Sequence, residues 1–149
     1  MRLLATIWLA VSVWMFPIAT SAQTPAAQKQ RSLLVHVTTG PDNPTKSALA
    51  FLVARAAAEA GHRVTLFLAG DAALLLRDSE LNSVTGVGTG KLRESYDALA
   101  AKGVQFYVSG MSAKARGIGD ADYQGKKVEL AMPARLVQLT MEADRVLVY

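Results

Sequence analysis

At 149 residues with 51% hydrophobic side chains, the chain is the size of one domain and has material for one buried core. Its net charge of +4 is scattered among acids without a like-charged block, and its few aromatics do not interleave with a basic stripe, which argues against a nucleic-acid partner. The lack of cysteine excludes disulfides, thiolate metal sites and cysteine nucleophiles, and the two imidazoles, His36 and His62, form no pair at ligand spacing, so no metal is expected.

Arg2 gives a short positive start, Leu3 to Phe16 is an uncharged apolar run, and Pro17 with Ala19, Thr20, Ser21 and Ala22 supplies a turn and small residues suited to signal peptidase. Residues 1–22 are therefore expected to be a signal peptide cleaved after Ala22, which makes the protein exported and periplasmic. The rival is an uncleaved leader acting as a membrane anchor, for which the run falls short of the roughly 20 residues that span a bilayer. Residues 23–31 read as a flexible mature N-terminus, and 32–149 as the domain.

Ser32 to Thr39 is an apolar, β-branched run closed by Gly40 and Pro41, and predicts a first strand. Asp42 or Asn43 can cap a helix opened by Pro44, with Ala48, Leu49, Leu52, Val53 and Ala56 at helical spacing and a left-handed stop at Gly61. Arg63 to Leu68 is the second strand, and strand, helix and strand on short loops make a parallel βαβ unit. Ala72 to Leu76 reads as helical and Asn82 to Gly90 as a mobile loop; the spacing of Gly86, Gly88 and Gly90 does not fit a dinucleotide fingerprint, and no cofactor is expected. A helix bearing Leu92, Tyr96 and Leu99 stops at Gly103, and Val104 to Val108 forms the next strand before a helix over Met111 to Arg116. Lys127 to Leu130 is a weaker strand, Pro133 opens a helix with Leu136, Val137 and Thr140, and Arg145 to Tyr149 closes as a strand. The alternation predicts an α/β fold with a mainly parallel sheet of four to five strands and helices on both faces.

Ligands of such sheets bind beyond the carboxyl ends of the strands. There the chain offers Thr38 to Thr45, Ala69 to Asp71 and Ser109 to Gly117. The candidate ligand-binding residues are Asp42, Asn43, Asp71, Ser109, Gly110, Ser112 and Arg116, with Lys114 as further positive charge near a helix start that favours a small anion. The alternative for the same residues is a turn at Ser109 and Gly110, a helix cap at Ser112 and a solvated basic pair.

The segments TTGPDNPTKSALAFLVARAAAEAGHRVTLFLAGDAALLL, GVQFYVSGMSAKARG and MPARLVQLTMEADRVLVY resemble the DsrE/DsrF-like proteins over nearly all of the chain from Ser32 onward. The resemblance implies a Rossmann-like three-layer α/β/α domain, assembly as a homo-oligomer, trimer or hexamer, and a link to sulfur metabolism, since active members pass persulfide sulfur between cysteines. The sulfur-carrying cysteine of such relatives falls at Ser109, and a serine hydroxyl neither ionises at neutral pH nor holds a persulfide. The expectation is a noncatalytic DsrE-like protein that binds a small anionic or sulfur-containing ligand, or a protein partner, at the carboxyl edge of the sheet. The alternatives are a sulfur-relay subunit completed by a cysteine-bearing partner, a purely structural oligomer, and a hydrolase with Ser109 as nucleophile and His36 as base, although no G-x-S-x-G surrounds Ser109.

Overall fold

The computed structural model of the protein describes residues 29–149, so the expected signal peptide and most of the expected N-terminal segment lie outside the described residues. The domain begins with β1 (Ser32–Val37), α1 (Pro44–Glu59) and β2 (Arg63–Leu68). A 3-10 turn (Gly70–Leu76) and α2 (Asp78–Ser83) lead to two short strands, β3 (Thr85–Gly86) and β4 (Gly90–Lys91). There follow α3 (Leu92–Ala101), β5 (Gln105–Ser109), α4 (Gly110–Ala115), α5 (Asp120–Tyr123), β6 (Val128–Ala131), α6 (Pro133–Glu142) and β7 (Arg145–Val148). The main sheet has the order β6-β5-β2-β1-β7 with every pairing parallel.

Alternation along each strand assigns the two faces. Val35, Val37, Leu66, Leu68, Phe106 and Val108 point to the front, where they pack with Phe51 and Ala54 of α1 and Leu92, Tyr96 and Leu99 of α3. Leu34, Phe67 and Tyr107 point to the back, against Leu139 of α6. Burying side chains of the Phe51 or Leu66 type contributes about 1.5–3 kcal/mol each, so most of the core energy lies in front. The back is crossed by α6, which carries the chain from edge strand β6 to the opposite edge strand β7.

Two local expectations are corrected. The buried stripe of α1 is Ser47, Ala48, Ala50, Phe51 and Ala54, while Leu49 and Ala56 are exposed and Leu52 and Val53 half-buried. This helix touches the sheet, α3 and β3 at once, so small and apolar residues occur around it and a single stripe is ill-defined. The segment Asn82–Gly90 is not wholly a loop: β3 and β4 pair antiparallel, with Gly88 and Gly90 at φ of 74° and 77° making the turn. Gly86 is buried there, and a Cβ on it would fall 2.9 Å from the Thr45 Cα, so α1 leaves room only for glycine. The segment Ala72 to Leu76 is helical as expected and winds as 3-10, which tucks Ala72, Ala73, Leu75 and Leu76 into the core within one short segment.

Candidate functional site

The carboxyl edge of the sheet brings β2 and β5 side by side, and the segments that leave them are tied together. The Ser109 hydroxyl ends β5 and accepts from the Ser112 amide at 3.3 Å, so Ser109, not Ser112, caps α4. The Ser112 hydroxyl instead accepts from the Gly70 amide at 2.9 Å, fixing α4 to the start of the 3-10 turn. Arg116 completes the clamp: its Nε donates to Asp71 Oδ1 at 2.8 Å, Nη2 lies 2.8 Å from the same oxygen, and Nη1 donates to the Ser112 carbonyl at 3.3 Å.

Asp71, Ser109, Gly110, Ser112 and Arg116 are therefore brought together. The loop after β1 approaches the same place, because Gly40 passes so close to Asp71 that a Cβ would lie 2.7 Å from the Asp71 Cβ. Its expected ligand residues do other things: Asn43 Oδ1 accepts from the Lys46 amide at 3.1 Å as the cap of α1, and Asp42 is exposed with no side-chain partner among the described residues. The charge of Arg116 is spent on Asp71, and α4 is too short to hold an anion by its dipole.

The edge has a second character that sequence reasoning missed. Met111, Leu130 and Met132 are 61%, 56% and 60% exposed, and a Cβ placed at Gly110 would lie 3.9 Å from Leu130 Cδ2 and 4.0 Å from Met132 Sδ. The apolar Met111 beside Gly110 is visible in the sequence. That Leu130 and Met132 flank it follows only from the pairing of Ser109 with Ala131.

The Ser109–His36 pair of the hydrolase alternative does not form. In register His36 lies level with Phe67 and Tyr107, two strands from β5 and two residues below Ser109, a separation of about 12 Å. His36 packs edge-on against Phe67 with ring centroids 5.7 Å apart, its Nε2 is buried without a partner among the described residues, and burial pushes its pKa below the ordinary imidazole value. Among the described residues no three His, Asp or Glu side chains converge as metal ligands. Three cavities lie away from the carboxyl edge. One of about 190 Å³ sits beneath α6 beside Leu34 and Leu139, one of about 470 Å³ lies at the amino edge around His62, and one of about 450 Å³ flanks α3.

Residues 31–149 match the model of the DsrE/DsrF-like family. The chain belongs to the DsrE/DsrF-like family. Among solved structures, this DsrE-like chain is similar to the crystal structure of the YchN protein from E. coli at 22% identity and a TM-score of 0.62, over 80% of this chain and 99% of that one. It is also similar to a conserved protein of unknown function from Bacteroides thetaiotaomicron at 14% identity and a TM-score of 0.54, over 80% of this chain and 95% of that one. Both likenesses concern the fold. No curated protein matches the sequence.

Proposed function

We propose that this DsrE-like protein is an exported, periplasmic, noncatalytic binding subunit whose carboxyl edge receives a protein partner. The observation that carries the reading is the state of the edge itself. Ser109 is a helix cap, Arg116 is held by Asp71, and beside the exposed Asp42 and Lys114 the edge presents the large apolar side chains Met111, Leu130 and Met132 to solvent. Flexible thioethers beside a branched side chain form an adaptable contact surface for another protein better than a cradle for a small anion. A small anionic or sulfur-containing ligand is the less favoured occupant, because it would have to draw Arg116 away from Asp71.

The missing thiol fits the same role. Active relatives carry sulfur on a cysteine, this chain has none, and a cysteine-bearing partner seated at the edge would supply the thiol of any sulfur relay. Assembly of the protein as a homo-oligomer, trimer or hexamer, belongs to the same proposal.

The experiment is site-directed photocrosslinking of the exported protein with a photoreactive residue at position 132, and at position 59 on α1 as control. A discrete heteromeric adduct from position 132, lost in Met111→Asp and absent from position 59, is the expected result. Equal adducts from both positions, or none from 132, refute a docking edge. Anion binding is read separately by titrating sulfate into the parent and into Asp71→Ala, which releases Arg116: the expected order is no binding by the parent and weak binding by the variant. Tight sulfate binding by the parent would return the small anion to first place.

A further inference from the structure

The cavity of about 450 Å³ beside α3 is far from the carboxyl edge and has the size of a small-molecule site. Its floor is apolar, made by Phe106, Val104 and Ala100 together with the ring of Tyr96, which leans on Phe106 with centroids 5.1 Å apart. Its walls are polar: Arg93 and Asp97 of α3, Asp78 of α2, and the turn from Gln124 to Lys127.

Counting donors and acceptors along these walls decides what the cleft can take. Both carboxylates are already neutralised. Asp97 receives the Arg93 Nε on its two oxygens at 2.9 and 3.0 Å, and Asp78 has Lys126 Nζ at 3.1 Å and Arg93 Nη1 at 3.7 Å. The donors are not exhausted. The Lys126 side chain, only 6% exposed, pairs with Asp78 and donates to the Asp122 carbonyl at 2.9 Å, which leaves one of its three N–H groups unspent. Lys127 lines the cleft with no acidic partner among the described residues. Tyr96 is 6% exposed as a residue, yet its hydroxyl finds no hydrogen-bond partner among the described residues, and burial raises its pKa and keeps it a donor. The hydroxyl oxygen is not among the buried unpaired polar atoms, so it opens on the cavity, where it is free to donate to a ligand.

We propose that this cleft binds a small amphipathic organic anion, with its apolar body on Phe106, Val104 and Ala100 and its anionic head accepting from Tyr96, Lys126 and Lys127. The site is independent of the docking edge and survives or fails apart from it.

Phenylacetate titrated into the isotopically labelled protein, followed by amide NMR shifts, tests the site, with neutral phenylacetamide as the matched control. Saturable shifts confined to Asp78 and residues 93–106 and 122–128 are expected below about 10 mM, a range that captures even weak fragments. Phenylacetamide should bind about tenfold more weakly. Tyr96→Phe keeps the ring and the packing and should also cost about tenfold, and Lys127→Ala about threefold. Shifts that cluster elsewhere, an absence of shifts, equal binding of the amide, or unchanged affinity in both variants would each overturn the proposal.

Discussion

The two faces of the sheet are finished to different degrees. In front, α1 and α3 cover the strands so fully that Val35, Val37, Phe51, Leu66, Leu68 and Leu99 are 0–1% exposed. Behind, α6 shields Leu34, Phe67 and Tyr107, but Val137 and Met141 of the helix are 58% and 81% exposed, and Val146 and Val148 of edge strand β7 are 38% and 65% exposed. A front covered by α1 and α3 except at Leu147 of edge strand β7, which is 37% exposed, supplies most of the core. A back with apolar side chains left in water has the character of a surface that another subunit covers, and it is where the proposed homo-oligomer would form.

The sharpest way to break this contrast is to truncate one anchor on each face. Phe51→Ala empties a site walled by the sheet and α3, and is expected to cost about 3–5 kcal/mol in urea unfolding. Leu139→Ala, on a helix free to settle toward the sheet, should cost about 2 kcal/mol. Equal costs would mean that the back is packed as tightly as the front. Next in size is Ser47→Ala. The Ser47 hydroxyl is fully buried and lies 2.6 Å from the Gly40 carbonyl and 3.0 Å from that of Thr39, pinning α1 to the loop after β1. Its loss should cost about 1–2 kcal/mol, and a neutral result would show that the front tolerates a polar vacancy after all.

How much of this the sequence carried depends on the range over which each feature is decided. The strands were legible because SLLVHV, RVTLFL and QFYV bury a run of consecutive side chains, and the parallel order followed from the helices between them. The neighbourhood of Asp71, Ser112 and Arg116 was legible too, since all follow strand ends. The pairing within it was not. Asp71 and Arg116 are 45 residues apart, and their contact is set by the packing of α4 on the 3-10 turn. The exposed trio Met111, Leu130 and Met132 likewise depends on the register of β5 with β6, and the stripe of α1 on having neighbours on several sides. The cleft at Tyr96 was read only as a buried helix face, because nothing local reveals that its hydroxyl opens on a cavity.

The smallest expected effect bears on the back face and comes from His36. Its pKa is held below the ordinary 6.5 by burial, so as pH falls the unfolded chain takes up the proton before the folded one does. Stability is then full above the unfolded value, declines as pH drops below about 6.5, and levels once the folded form protonates as well. His36→Phe keeps an aromatic against Phe67 and removes the titration, so the gap between parent and variant urea midpoints should open below pH 6.5 in favour of the variant. A second copy seated on the back would desolvate the imidazole further, because Val148, its register partner on β7, is among the exposed residues that copy would cover. The gap should therefore widen as protein concentration rises. A gap that opens to the same extent at every concentration would leave His36 buried by its own chain alone and would count against a subunit interface on this face.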